Sequence, residues 1–268
     1  MFRLLRFTLF YQVNSHVEST SELDPRIQTA KAHAAFMKGD AVETLRITSY
    51  ILEKHGLYMD CIMVHINSLV QLGDAERLFL LGHRLVDAFA DEDISWYAVA
   101  LYYYVCKNAQ AAKNFMNKAT MMNTGFGEGW LAFGHIMAAE AENEQALNCY
   151  YRASRILERH FEPLLYVAIQ YCKSGVRLAE QFLNDAAALA PTNPIVVHEQ
   201  GCLAYNNKDY LSAQRFFEKA LRYATNCDEE NISMQTLARL YDIHYCYFIY
   251  LISNILKTLF FFKVLLIS

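Results

Sequence analysis

The chain has 268 residues, of which 54% are apolar and 19% charged, so it can bury a sizeable core. Its formal net charge of −4, without any run of Lys or Arg, gives no electrostatic basis for nucleic-acid binding. Four prolines and ten glycines in this length favour long helices over loops. The seven cysteines form no CxxC pair, so we expect them to be small buried hydrophobic residues of a protein in a reducing compartment.

Residues 1–24 precede the regular part of the sequence. Their apolar start is interrupted by Arg3 and Arg6, and no stretch matches the apolar run of about 7–15 residues that a secretory signal needs. Residues 17–24 are polar and resemble a short linker. We therefore expect 1–24 to be a poorly ordered N-terminal segment.

A pattern of large and small apolar residues then returns every 34 residues. Trp96 is followed by Trp130, Ala112 by Ala146 and Ala119 by Ala153, each 34 residues further on, and the pattern appears again in a third register at Ala213 and Ala220. This period and spacing are the tetratricopeptide (TPR) signature. The sequence therefore predicts an all-α fold, an α-solenoid in which helix-turn-helix repeats stack into a right-handed superhelix.

The array is predicted over residues 25–227, beginning at Pro25 with Asp24 as the helix cap. Its repeats are 25–58, 59–92, 93–126, 127–160, 161–193 and 194–227, about six in all. Predicted hairpin turns lie at Gly39–Asp40, Gly73–Asp74, Glu142–Asn143, Lys173–Gly175 and Asn207–Asp209. The fifth repeat is one residue short, and we place the missing residue in its turn, where length changes are tolerated best.

The C-terminal part departs from the repeat pattern. Residues 228–241 are predicted to form a capping helix, and 242–268 are an apolar tail. The tail is long enough to span a bilayer, which takes about 20 apolar residues, but Asn254, Lys257 and Lys263 interrupt it. Its composition is also typical of translated non-coding sequence, which we favour, with a tail anchor in a membrane as the alternative.

Several short motifs suggest chemistry that their context does not support. Gly125–Gly129 resembles a phosphate loop, but no strand precedes it and no Lys-Ser or Lys-Thr follows, so it is predicted to be a loop between repeats. His135 and His198 lack metal-ligand spacing, and His198 is predicted to lie on an exposed helix face. No histidine partner can be named for Cys149. The sequence predicts no catalysis, no cofactor and no metal.

The surface that remains for function is a stripe on the first helix of each repeat. Positions 4, 8 and 11 are predicted to turn inward, so positions 5, 9 and 12 form the next stripe, about 100° further around the helix. In a TPR superhelix this stripe lines the concave groove, and exposed aromatic residues there suit partner binding. The predicted groove residues are Tyr97, Leu101, Tyr104, Leu131, His135, Leu165, Ile169, His198, Cys202 and Tyr205, with Ala138 and Cys172 at equivalent positions.

Three segments carry a more specific likeness. LFLLGHRLVDAFADEDISWYAVALYYY (78–104), GWLAFGHIMAAEAENEQALNCYYRASRI (129–156) and VVHEQGCLAYNNKDYLSAQRFFEKAL (196–221) resemble successive repeats of the cell-division-cycle-16 family, subunits of the anaphase-promoting complex. The likeness runs over roughly residues 25–222. It includes LFLLGHRLVD, which a generic TPR consensus would not predict.

This resemblance implies a non-catalytic scaffold subunit of the anaphase-promoting complex, the ubiquitin ligase that drives mitotic exit, in the nucleus and cytoplasm. It implies partners among the other subunits, including other TPR subunits and a small subunit bound as an extended segment. Family members are longer, with N-terminal repeats that form homodimers. Those repeats are not in this sequence, so we do not extend homodimerisation to it.

Two other classes remain as alternatives. A generic TPR adaptor or co-chaperone would bind a peptide in its groove, with or without a tail anchor. That class usually holds a C-terminal carboxylate with Lys, Arg and Asn on the first helices, where this chain has Tyr, His and Cys. An enzyme with an appended TPR array is the third class, and the sequence leaves no residues for its catalytic part.

Overall fold

The computed structural model of the chain describes residues 24–37, 39–175 and 177–225. Within these ranges the chain forms twelve α-helices and no strand, which confirms the predicted all-α fold. The helices are α1 (Pro25–Met37), α2 (Ala41–His55), α3 (Met59–Leu72), α4 (Ala75–Ala88), α5 (Asp93–Val105), α6 (Ala109–Met122), α7 (Gly127–Ala139), α8 (Asn143–Ile156), α9 (Phe161–Lys173), α10 (Leu178–Leu189), α11 (Pro194–Asn206) and α12 (Tyr210–Thr225). None of these twelve is long and apolar enough to cross a bilayer. The predictions for 1–23, for a capping helix at 228–241 and for the tail at 242–268 lie outside the described residues.

The chain divides into two compact units, and the division lies between Gly73 and Asp74, inside the predicted repeat 59–92. In the first unit α1, α2 and α3 pack against one another around buried residues such as Ala32, Ile51 and Ile62. Its start follows the predicted signal, because the backbone N–H of Arg26 donates to Asp24 Oδ1 at 2.9 Å.

In the second unit the helices pack as hairpins, α5 with α6, α7 with α8, α9 with α10 and α11 with α12, and α4 packs against α5. Each second helix also packs against the first helix of the following hairpin. The repeated alanines Ala112, Ala146 and Ala213 are fully buried, as is Ala179 on the second helix of the hairpin between them. The predicted spacing of small residues therefore marks the contact faces of the hairpins, as the sequence indicated.

Each predicted repeat has one residue with left-handed backbone geometry between its two helices. It lies 14 residues after the start of the repeat: Gly39, Gly73, Lys107, Ala141, Gly175 and Lys208, with φ between 60° and 85°. Three of the six are not glycine. An L-residue with a Cβ pays about 1–2 kcal/mol in this conformation, so these turns are conformationally strained.

Replacing Ala141 by glycine is therefore expected to raise the free energy of unfolding, by about 0.5–1 kcal/mol, because glycine adopts φ near 60° without steric cost. Ala139→Gly is the matched control two residues away. Ala139 is exposed and helical, so glycine there is expected to lower the free energy of unfolding by about 0.5–1 kcal/mol. Urea unfolding followed by circular dichroism measures both. Equal changes in the two variants would contradict the prediction.

The fifth repeat corrects one detail of the sequence analysis. The left-handed residue and the next buried alanine are five residues apart in three repeats, Lys107–Ala112, Ala141–Ala146 and Lys208–Ala213, but only four apart in Gly175–Ala179. The missing residue is therefore at the start of α10, after the Lys173–Gly175 turn rather than in it. As a consequence Arg177 precedes α10 without a side-chain cap bond, whereas Asn108 caps α6 by accepting from the N–H of Ala111 at 3.2 Å.

Two tryptophans at the same repeat position tie neighbouring segments together. Trp96 Nε1 donates to the carbonyl of Ala90 at 2.8 Å, and Trp130 Nε1 donates to that of Thr124 at 3.0 Å. A cation from the second helix of the same hairpin lies over each ring: Lys118 Nζ is 3.1 Å from the Trp96 centroid, and Arg152 Cζ is 4.5 Å from that of Trp130. Each indole thus joins both helices of its hairpin to the loop that precedes it.

Some predicted core residues are more exposed than expected. Trp96 and Tyr103 occupy inward repeat positions but are only half-buried, and they stack on either side of the Phe115 ring with centroid distances of 5.8 and 5.3 Å. Cys106 is exposed because it follows the last residue of α5 and begins the turn, whereas Cys61 and Cys149 are buried as predicted.

Candidate functional site

Three of the predicted groove residues are buried in the structure. The exposed fractions of Tyr97, Leu101 and Leu165 are 3%, 5% and 1%. Tyr97 is covered by the residue that precedes α7, because its ring meets that of Phe126 edge-on at a centroid distance of 5.2 Å. Burial raises the pKa of the Tyr97 phenol. These side chains pack within the array, so the prediction that they contact a partner is not supported.

The other predicted groove residues are half-buried and so retain accessible surface. They are Tyr104, Leu131, His135, Ile169, His198, Cys202 and Tyr205. Tyr104 lies on α5, Leu131 and His135 lie on α7, and Ile169 lies on α9. The remaining three lie on α11. Their role in binding a partner stays a prediction.

Four aromatic side chains from three consecutive hairpins form what we call the aromatic cluster: Tyr104, His135, Tyr150 and Tyr166. His135 Nδ1 is 3.0 Å from the Tyr150 hydroxyl, and the His135 ring meets the Tyr166 ring edge-on at 4.3 Å between centroids. The rings of Tyr150 and Tyr166 stack at 5.5 Å. Burial, together with the phenol of Tyr166, raises the pKa of both Tyr104 and Tyr150. The raised pKa keeps the phenols of Tyr104 and Tyr150 uncharged near neutral pH, which suits contacts with a neutral or apolar segment.

The aromatic cluster depends on glycine at position 134, because glycine has no side chain to occupy the space of the Tyr150 ring. A Cβ at this position would lie 2.5 Å from Cδ1 and 2.9 Å from Cζ of Tyr150, so only glycine lets the ring lie directly on α7. The ring then brings its hydroxyl to His135, the next residue on the helix. The same arrangement recurs 67 residues further on, where a Cβ at Gly201 would lie 2.6 Å from Cε1 of Phe217.

Sequence reasoning identified His135 and Tyr104 but did not identify Tyr150 or Tyr166 as members of this cluster. Tyr166 lies at position 6 of its repeat, next to the predicted stripe rather than on it. Its pattern signal is weak, because positions 6 of the neighbouring hairpins are Ala98, Ala132 and Glu199. The contact depends on how far consecutive hairpins are offset, which the period alone does not give.

A second group of polar side chains lies on α11 and is called the thiol–imidazole cluster: His198, Glu199, Cys202 and Cys172 of α9. Cys202 Sγ lies 3.7 Å from Nε2 and 3.8 Å from Nδ1 of His198, and Glu199 Oε1 lies 3.6 Å from His198 Nδ1. Burial, and then the Glu199 carboxylate, raises the pKa of Cys172. The expected exposed position of His198 is wrong, because its side chain is only 13% exposed and its ring packs 5.6 Å from that of Phe217.

The described residues contain no group of three or more His, Cys, Asp or Glu arranged to hold a metal ion. Two glycines of Gly125–Gly129 allow close packing at the start of α7, because a Cβ at Gly127 would lie 2.6 Å from Leu157 Cγ and one at Gly129 would lie 2.5 Å from Phe126 Cδ1. Burial raises the pKa of Cys149 to about 11, which keeps this thiol protonated and poorly nucleophilic.

No protein-family model matches the chain. It is 35% identical over 202 residues to the cell division cycle protein 16 homolog of Homo sapiens, which covers 74% of this chain and 32% of the relative. It is 34% identical over 178 residues to anaphase-promoting complex subunit 6 of Arabidopsis thaliana, covering 66% of this chain and 33% of the relative. The crystal structure of the APC/C hetero-tetramer Cut9–Hcn1 matches with a TM-score of 0.77 at 27% identity, covering 88% of this chain and 46% of that chain.

The chain is related to the cell-division-cycle-16 family. This confirms the resemblance of segments 78–104, 129–156 and 196–221 to repeats of that family, and with it the TPR type of the hairpins. The chain spans about a third of the length of the two cell-division-cycle-16 relatives described above. The Arabidopsis thaliana relative is an anaphase-promoting complex subunit by name, and the matching crystal structure is that of an APC/C hetero-tetramer.

Proposed function

We propose that the chain is a non-catalytic scaffold subunit of the anaphase-promoting complex, an E3 ubiquitin ligase assembly, and that it holds neighbouring subunits for cell-cycle-regulated ubiquitination. Its partners are other subunits of the complex, including other TPR subunits and a small subunit bound as an extended segment. The protein acts in the nucleus and cytoplasm. The observation that carries the proposal is its similarity to anaphase-promoting complex subunit 6 of Arabidopsis thaliana over 66% of its length.

The surface described above supports this proposal in its chemistry. The accessible part of the predicted groove stripe, together with the aromatic cluster, offers phenol, imidazole and thiol groups rather than the Lys, Arg and Asn of a carboxylate clamp. Aromatic side chains provide large contact area with few rotatable bonds, and binding hot spots are enriched in Tyr and Trp. Cut9 is found with Hcn1 in a hetero-tetramer, and we extend a second subunit of this kind to the present chain.

Affinity purification of the full chain, followed by mass spectrometry, tests the proposal directly. Other subunits of the anaphase-promoting complex are expected to co-purify at a constant ratio. Recovery of chaperones whose C-terminal peptide competes for binding, without ligase subunits, would instead identify the generic adaptor class and overturn the proposal.

Tyr205→Ala is expected to weaken binding of a ligase subunit by about 1–2 kcal/mol, roughly 5- to 30-fold, because it removes a half-buried aromatic ring from the predicted stripe. The helix remains, so the circular dichroism spectrum is expected to be unchanged. Binding is measured by titration of the purified partner subunit.

Two controls separate contact from stability. The Tyr205 ring meets that of Tyr210 edge-on at 5.5 Å, so Tyr210→Ala removes the same intramolecular contact from its other side. Lys208→Ala alters an exposed turn residue and is expected to change neither folding nor binding. If Tyr210→Ala weakens binding as much as Tyr205→Ala, the Tyr205 effect is on stability and the predicted contact is wrong.

A further inference from the structure

The thiol–imidazole cluster differs from the surroundings of the other described cysteines. Cys202 and His198 lie one helical turn apart on α11, with the sulfur within 3.8 Å of both imidazole nitrogens. Glu199 Oε1 lies 3.6 Å from Nδ1 of the same imidazole. The three groups thus form a chain from carboxylate to imidazole to thiol, and the Cys202 side chain is half-buried, so reagents can reach it.

An adjacent imidazolium stabilises a thiolate, and the thiolate is the nucleophilic form of cysteine. A carboxylate beside the imidazole favours its protonated form by opposite charge. The side chains of His198 and Glu199 are 13% and 22% exposed, so water screens their interaction only in part. Groups near the pair include Glu199 on its own helix, Cys172 on α9 and the apolar ring of Phe217 on α12.

We propose that Cys202 is a modification site for thiol-directed electrophiles, hydroperoxides in particular, with His198 as its activating partner. The Cys202 thiolate attacks one oxygen of the hydroperoxide, and the O–O bond breaks as the S–O bond forms. Sulfur loses two electrons and becomes a sulfenic acid, while the peroxide oxygens gain them. The leaving hydroxide or alkoxide takes the proton of the His198 imidazolium and departs as water or an alcohol.

The chain provides its own reference thiols. Cys106 is exposed, and its neighbour is the Tyr102 hydroxyl rather than an imidazole. Cys149 is buried, and burial raises its pKa to about 11. If exposure alone set the rate of thiol modification, Cys106 would react faster than Cys202. If the His198 imidazole sets the rate, Cys202 reacts faster.

The experiment treats the folded full chain at about pH 6.5 with limiting iodoacetamide, and separately with hydrogen peroxide followed by a sulfenic-acid trap. Peptide mass spectrometry then gives the rate at each cysteine. At this pH we expect Cys202 to react about fivefold faster than Cys106, since the gain in thiolate outweighs its lower intrinsic nucleophilicity. Cys149 is expected to stay unmodified.

His198→Gln keeps a polar side chain of similar length but cannot carry a charge. It is expected to lower the Cys202 rate to that of Cys106 or below, without changing the Cys106 rate. Unfolding the wild-type chain in concentrated urea gives a second measurement that does not depend on the variant folding, and there the two rates are expected to become equal. The proposal is overturned if Cys202 reacts no faster than Cys106 in the folded chain, or if its rate is unchanged in His198→Gln. These outcomes do not depend on any partner subunit.

Discussion

Trp130→Ala is expected to lower the free energy of unfolding by about 3–5 kcal/mol, in the range for large aromatic residues removed from a core. The indole is 6% exposed, so its replacement leaves a cavity between the two helices of its hairpin. The same change removes the hydrogen bond to the carbonyl of Thr124, and it leaves the Arg152 guanidinium without the ring beneath it. Three contributions therefore act in the same direction.

Trp96→Ala is the matched control, because Trp96 has the same repeat position, the same type of hydrogen bond and a cation over its ring. Its indole is half-buried, so less apolar area is lost, and we expect a cost of about 1–3 kcal/mol. Urea unfolding followed by far-UV circular dichroism avoids the change in tryptophan fluorescence. A cost for Trp130→Ala no larger than that for Trp96→Ala would show that burial does not set the difference.

Gly134→Ala is expected to lower the free energy of unfolding by about 1–3 kcal/mol, although it adds only one methyl group. The new Cβ would lie 2.5 Å from Cδ1 of Tyr150, whose ring is fully buried and whose hydroxyl is held by His135, so the ring cannot move aside freely. Helix propensity alone would favour alanine over glycine by about 1 kcal/mol. The steric overlap is therefore expected to reverse the sign of a normally stabilising change.

Gly82→Ala provides the control for propensity. Its Cβ would meet Val99 Cγ2 at 3.5 Å, an ordinary contact, so we expect it to stabilise the fold by up to about 1 kcal/mol. The preceding hairpin suggests a second substitution that would relieve the overlap, because its equivalent positions hold Ala100 and Met116, both buried. Gly134→Ala combined with Tyr150→Met is expected to cost less than the sum of the two single changes. If the two changes in unfolding free energy simply add, the Tyr150 ring and the new Cβ at position 134 do not clash.

The repeat period and the positions of small residues could be predicted from the sequence because both follow from local geometry. A residue pattern with helical spacing determines which face of each helix is apolar, and Ala112 and Ala146 are buried for this reason. Pro25 and Asp24 mark a helix start through their own backbone preferences, so this boundary too is visible in the sequence. The family likeness rests on the same segments.

Other features depend on distances between hairpins. Tyr97, Leu101 and Leu165 share a stripe with accessible residues but are buried, because each first helix also packs against a neighbouring repeat. The same offset brings Tyr166 to His135 and Cys172 to Glu199. No period encodes that offset.

The sequence by itself determined the all-α class, the hairpin spacing and the relationship to one family, since these follow from helical periodicity and residue identity. Only the tertiary structure decided which residues of the predicted groove stripe are accessible, that Gly134 exists to admit the Tyr150 ring, and that Cys202 has an imidazole beside it. The physical reason is that a helical period determines only the directions in which side chains leave a single helix axis. Accessibility and side-chain contact depend on how several axes are placed relative to one another, which is set by the summed packing of many side chains.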